Sequence, residues 1–199
     1  MAYKLIAFDL DGTLLDDNKK VPEKNISALL SAAERGAVIV PATGRVFPAL
    51  PEILKKLDII RYYILSNGAC IYDRKEDRVI YKGEISTELA IKCIEYMDTL
   101  PVIYDCYKDD RGYMTESMYN EAEDYLSDQP HILELVKRIR IPVPDLAEYL
   151  REAGGGLQKL QMFFKPEHMA LREKEFKNAI SKHEPKTIGA IPMKKFPIL

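Results

Sequence analysis

The sequence contains no tryptophan, and only three histidines and three cysteines. Cys70, Cys93 and Cys106 are odd in number and widely separated. That excludes a disulfide framework and the paired spacing of a zinc site, and it suits buried thiols in a reducing compartment. His131, His168 and His183 are equally scattered and read as surface residues. No apolar run approaches the ~20 residues that a transmembrane helix needs. The N-terminus passes straight into an apolar strand pattern, without the regions of a signal peptide. Neither sign of charge is in excess: 29 Lys and Arg stand against 31 Asp and Glu, a net charge of −2. Such a balance gives no general attraction for nucleic acid or an anionic membrane. Internal repeats and low-complexity tracts are also missing. The expectation is a soluble cytoplasmic protein. Its 199 residues, 47% of them hydrophobic, suffice for one medium domain or two small ones.

What is present centres on Phe8-Asp9-Leu10-Asp11-Gly12-Thr13-Leu14-Leu15. The apolar run Tyr3-Lys4-Leu5-Ile6-Ala7-Phe8 before it reads as a buried strand. Two carboxylates two residues apart leave the strand end, and Gly12 permits a sharp turn. This pattern suits phosphoryl transfer. Asp9 at the strand tip is placed to attack phosphorus and form an aspartyl-phosphate. Asp11, close to the same substrate, is placed to protonate the leaving oxygen and then to take a proton from the hydrolytic water. Asp9 and Asp11 together favour a hard divalent cation, with Mg2+ the usual companion of phosphates. Backbone N–H groups of the turn, Leu10 among them, are suited to phosphate oxygens. A calcium loop is rejected: counted from Asp9, Gly12 is fourth and Lys20 twelfth, where that loop needs glycine sixth and glutamate twelfth.

Ile26, Leu29, Leu30 and Ala33 recur at helical spacing between Pro22 and Gly36. The all-apolar Ala37-Val38-Ile39-Val40 follows as a strand buried on both faces. Strand, helix and strand at this spacing make a βαβ unit with a parallel sheet. The second strand ends in Pro41-Ala42-Thr43-Gly44-Arg45. Ligands of open α/β sheets bind beyond the carboxyl ends of strands, so Thr43 and Asp9 should emerge at one edge. The Thr43 hydroxyl and the Gly44 N–H are candidate phosphate donors. Arg45 is either a substrate-binding cation or a solvated one. A helix carrying Leu50, Ile53, Leu54 and Leu57 is expected next, with Pro48 and Pro51 near its first turn. The strand over 62–65 runs into Ser66-Asn67-Gly68-Ala69, and a hairpin follows over 70–81.

From about Lys82 the pattern changes to α+β. Ser86 or Thr87 caps a helix with Leu89, Ala90, Cys93, Ile94 and Met97. Strands over 101–107 and 113–115 flank the turn Asp109-Asp110-Arg111-Gly112. Helical faces follow at Met118, Ala122 and Leu126, then at Ile132 to Ile139, the latter stopped by Pro142 and Pro144. A short helix ends at Gly154-Gly155-Gly156, which lacks the lysine or serine of a phosphate cradle. A strand is expected over 157–164, a helix after Pro166 with Met169, Phe176 and Ile180, and a strand over 188–191. Tyr107, Tyr113, Tyr119 and Tyr125 suit core packing better than a sugar pocket.

The acidic turn, Thr43-Gly44-Arg45 and Asn67-Gly68-Ala69 together resemble motifs of the haloacid dehalogenase (HAD) superfamily, in its Cof-like sugar-phosphatase branch, subfamily IIB. The resemblance implies an α/β fold: a Rossmann-like HAD core with a parallel sheet over 1–81, N-terminal part only, and an inserted α+β cap domain of C2 type over 82–199. It implies a Mg2+-dependent phosphatase acting on a small phosphorylated substrate, a sugar phosphate or related metabolite. Asp9 and Asp11 would be catalytic and hold the metal, and Leu10, Thr43, Gly44, Arg45 and Asn67 would bind phosphate or substrate. A phosphomutase of the same superfamily, or a non-catalytic remnant acting as a binding module, are the alternatives. Complete members also carry a lysine and a Gly-Asp metal pair after the cap. No Gly-Asp pair follows Leu150, and none of the later lysines has the matching context. The chain is therefore expected to end in or just after the cap, with impaired activity. The strand over 3–8 would then lie at an exposed sheet edge, open to self-association.

Overall fold

A computed structural model of the chain describes residues 3–168. The helix expected after Pro166, the strand over 188–191 and His183 lie outside the described residues. The first sheet region begins with β1 (Leu5–Phe8), α1 (Glu23–Glu34) and β2 (Val38–Pro41), the expected βαβ unit. β1 and β2 pair in parallel, from Leu5 opposite Val38 to Phe8 opposite Pro41. The 47–57 segment departs from expectation. A single turn over Phe47–Ala49 precedes a helix of only five residues, α2 (Glu52–Lys56). Pro51 divides it: Leu50 before it is extended, with ψ of 149°, while Pro48 sits inside the first turn. β3 (Tyr62–Leu65), β4 (Cys70–Asp73) and β5 (Arg78–Lys82) form an antiparallel sheet. A parallel bridge from Ala42 to Ile64 joins it to β2. Leu10, Ile39, Leu54, Tyr63 and Leu65 fill the core between this sheet and α1.

β1 is less buried than its apolar run predicts. Among the described residues it pairs with β2 alone, and Leu5 is 56% exposed. An unpaired apolar edge is a template for strand addition. In a dilute, strictly monomeric sample, the unpaired amides of Leu5 to Phe8 are expected to exchange rapidly with solvent and to gain protection as the protein is concentrated. Slow exchange in the monomer would contradict this.

The second region contains α3 (Thr87–Met97), β6 (Val102–Lys108), β7 (Arg111–Thr115), α4 (Glu116–Leu126), α5 (Pro130–Ile139), β8 (Arg140–Val143), α6 (Leu146–Ala153) and β9 (Lys159–Phe164). Its four strands run in the order β8-β7-β6-β9. Helix starts follow the side chains that cap them: Ser86, Thr115 and Asp145 each accept a backbone N–H three residues on. β8 corrects the expectation that Pro142 merely stops a helix. β8 is an edge strand, where proline's missing N–H breaks no ladder. Leu157, expected to open the last strand, instead bridges Ile85. Tyr107 and Tyr113 are buried, and Tyr119 and Tyr125 pack against the core around Met114 and Val136. Cys70 and Cys106 are buried and Cys93 half-buried, all as free thiols.

The β6–β7 turn is tighter than expected. Arg111 and Gly112 belong to the strand, and only Asp109 and Asp110 turn, both left-handed with φ of 49° and 61°. Burial pushes the Asp110 carboxyl up to about 6, against the pull of the Phe47 N–H that it accepts. An acid whose pKa rises on folding adds stability below its unfolded pKa of 3.8 and loses it as the pH climbs through about 6. Burial raises Cys70 to about 11 and the Asp77 hydrogen bond raises Tyr72 to about 12, with a smaller push from Asp110 in each, so both stay neutral in that window. Arg111 and Arg138 line the same surface pocket. Asp110→Asn removes the charge, keeps an acceptor and tolerates a left-handed backbone. It is expected to raise unfolding free energy by about 1–2 kcal/mol at pH 7, after allowance for screening by water. The gain should vanish at pH 4 in denaturant titrations, and an equal gain at both pH values would contradict the assignment.

Candidate active site

β1, β2 and β3 are mutually parallel, so their carboxyl ends deliver Asp9, Thr43 and Asn67 to one edge. The loop after β1 is closed by Leu14 N–H donating to Asp9 C=O (3.2 Å) and Leu15 N–H to Leu10 C=O (2.9 Å). Gly12 turns it at φ 81°, a conformation that a side chain would strain. Leu10 and Leu14 anchor the loop in the core, and Asp9 is left exposed. The Thr13 hydroxyl lies 3.5 Å from an Asp9 carboxylate oxygen.

Thr43 is buried. Its N–H donates to Ile64 C=O (2.9 Å), its carbonyl accepts the Asn67 N–H (3.0 Å), and its hydroxyl accepts the Arg45 N–H (3.2 Å). Ser66, Asn67 and Gly68 are all left-handed, with φ of 50°, 58° and 91°. Consecutive non-glycine residues in that region are uncommon and mark a turn held by its surroundings. Gly44 lets Asn67 approach closely: a Cβ there would lie 2.6 Å from the Asn67 amide oxygen, and the amide would have to shift. Asp9, Thr43, Gly44 and Asn67, with Ala42, Ile64 and Gly68, enclose a shallow pocket of about 280 Å³.

Asp11 and Arg45 do not line that pocket. They face each other in a bidentate pair, with Arg45 Nε and Nη2 each 2.8 Å from an Asp11 oxygen. Lys19 Nζ adds a contact at 3.3 Å, and Arg45 Nη1 donates to Ala49 C=O at 2.9 Å. Burial pushes the Asp11 carboxyl up, but Arg45 and Lys19 bring it below the usual carboxylate range. Arg45 is therefore neither solvated nor turned into the pocket. Lys19 had no signal in the sequence beyond its place in a polar loop. Gly68 was legible as the partner of Asn67 in a turn.

Among the described residues, no three His, Cys, Asp or Glu side chains cluster as a metal site. The donor chemistry still suits a hard cation at Asp9. Mg2+ keeps several waters and takes only one or two carboxylates beside phosphate oxygens. The Asp9 carboxylate is open for this, whereas both Asp11 oxygens are held by Arg45.

A family model described as haloacid dehalogenase-like hydrolase matches residues 6–189. The chain belongs to that family. This haloacid dehalogenase-like chain is 32% identical over 129 residues to a Buchnera aphidicola protein, covering 63% of the chain and 47% of that relative. It is 37% identical over 70 residues to the 5-amino-6-(5-phospho-D-ribitylamino)uracil phosphatase of Bacillus subtilis, covering 35% of the chain and 28% of that enzyme. A solved HAD subclass IIB sugar phosphatase superposes with a TM-score of 0.65 at 23% identity, covering 89% of this chain and 64% of that one. At that identity it shows the shared fold. The chain spans about half the length, or less, of these curated relatives. Among the described residues, no helix is long and apolar enough to cross a membrane.

Proposed function

We propose that the pocket at the ends of β1, β2 and β3 is the phosphoryl-transfer site of a phosphatase acting on a small phosphate ester, such as a sugar phosphate. One observation carries this reading. An exposed carboxylate, Asp9, shares a pocket with the donors of Thr43, Gly44 and Asn67. Residues 1–81 form the core in this reading, and the second sheet region, from residue 82, is the cap that covers it.

Asp9 attacks phosphorus as the bond to the leaving oxygen breaks, and a proton from the Asp11 carboxyl goes to that oxygen. Water then attacks the aspartyl-phosphate and gives a proton to the Asp11 carboxylate, which frees Asp9 and inorganic phosphate. Paired with Arg45 and Lys19, Asp11 is ionised, the form that accepts the proton in the second step; to act as the acid in the first step it must leave Arg45 and take a proton from solvent. Thr43, Gly44 and the loop amide of Leu10 are the phosphate donors. Asp9 would hold Mg2+, joined by Asp11 when Arg45 gives way. The bound ion offsets the repulsion between carboxylate and phosphate.

The described pocket residues include one carboxylate and no cation. Binding tests this reading directly. Beryllofluoride with Mg2+, a mimic of the phosphorylated carboxylate, is expected to bind with a Kd of roughly millimolar or tighter, a modest affinity. Asp9→Asn should abolish that binding. Absence of binding in a folded protein would sink this reading and favour a non-catalytic binding module.

A further inference from the structure

We propose that Asp110, at the tip of the β6–β7 hairpin, is a positioning residue that holds Arg45 on Asp11 through the Phe47–Ala49 turn; its catalytic meaning rests on the role proposed for Asp11.

The hairpin tip is built to reach the core. A two-residue hairpin turn with both residues left-handed normally takes Asn-Gly or Asp-Gly. Here two aspartates occupy it, each with a partner outside the hairpin. The Asp109 carboxylate pairs with Lys82 at the end of β5, and its N–H donates to the Gln158 side chain (2.9 Å). The Asp110 carboxylate accepts the Phe47 N–H at 2.9 Å. That N–H opens the Phe47–Ala49 turn, where no carbonyl of the turn itself is available to it. Asp110 thus satisfies a donor that the local backbone leaves open.

The turn carries this contact to Arg45. Ala49 N–H donates to Val46 C=O (3.0 Å) and Leu50 N–H to Phe47 C=O (3.1 Å), which ties residues 46–50 into one hydrogen-bonded turn. Val46 and Ala49 are buried against Tyr107 of β6. The Ala49 carbonyl then accepts Arg45 Nη1, while the other two nitrogens of the same planar guanidinium hold Asp11. A guanidinium gripped on both edges has one orientation, set jointly by the Ala49 carbonyl and Asp11. Loosening the turn therefore loosens the grip on Asp11.

The test compares Asp110→Gly with Asp110→Asn. Glycine suits the left-handed backbone and removes the acceptor, so the fold is expected to survive. Asparagine keeps an acceptor. Nitrogen-15 NMR without substrate follows hydrogen exchange of the Phe47 amide and of Arg45 Nε–H. In Asp110→Gly both are expected to exchange faster by roughly five- to tenfold, the effect of losing one net hydrogen bond. Asp110→Asn should restore both. An unchanged Arg45 signal beside a faster Phe47 amide would overturn the coupling. An unchanged Phe47 amide, or failure of asparagine to restore the rates, would overturn the assignment of Asp110. Neither readout depends on phosphate binding, so the phosphatase reading stands or falls separately.

Discussion

Arg140→Met is expected to lower the unfolding free energy by about 3–5 kcal/mol, the usual result of leaving one charge of a buried pair unpaired. Arg140 is 1% and Asp105 0% exposed at the side chain, and Arg140 Nε donates to an Asp105 oxygen at 2.6 Å. The Gln161 amide donates to the same oxygen at 3.1 Å, and the Tyr107 hydroxyl accepts from Arg140 Nη2. Room for the guanidinium comes from Gly112, where a Cβ would lie 2.6 Å from Arg140 Cδ. Burial pushes the Asp105 carboxyl up, against the pull of Arg140. Without Arg140 nothing of comparable strength opposes burial. The Asp105 pKa should then climb further, and the loss should grow as the pH rises above the ordinary carboxylate range. Asp105→Leu combined with Arg140→Met should recover most of the stability, because a well-packed apolar pair does not carry the desolvation cost. Urea unfolding of the single and double variants measures both effects. A single variant within about 1 kcal/mol of the parent would show that the pair is not a strong constraint.

The elements that the sequence made legible share one property: local pattern and tertiary placement agree. The run before Asp9 and the run 62–65 are strands flanked by turn residues, and the parallel sheet brings their ends together. The buried faces of α3 and α4 follow their apolar spacing, at Ala90 and Ile94 and at Ala122 and Leu126. What stayed hidden depends on distant partners. β8 follows α5 with no intervening loop, and its sequence carries a proline and an arginine. Pairing with β7, the carboxylate of Asp105 and the Tyr107 hydroxyl explain why that arginine is buried. The grip of Arg45 on Asp11 spans 34 residues, and the Phe47–Asp110 contact spans 63. No spacing rule reports pairs so far apart. Asn67 became a candidate only through the family resemblance, since Asn-Gly is otherwise a common turn pair, and its close approach to Gly44 needed the structure.

Asp9→Asn is expected to lower any phosphate release by on the order of 10³-fold or more, as loss of a nucleophile does when it acts as one unit with its proton-transfer partner. The amide keeps the size of the side chain but is a poor nucleophile, and it weakens the hold on Mg2+. Thr43 and Asn67, fixed by their own backbone contacts, should remain in place, so the variant should fold normally. The most direct measurement asks whether Asp9 itself takes the phosphoryl group. The protein is incubated with Mg2+ and acetyl phosphate, quenched with borohydride, which reduces an aspartyl-phosphate to homoserine, and mapped by peptide mass. Homoserine at position 9, absent from Asp9→Asn, is the predicted result. An unmodified Asp9 in a protein that still releases phosphate, or homoserine at another aspartate, would contradict it.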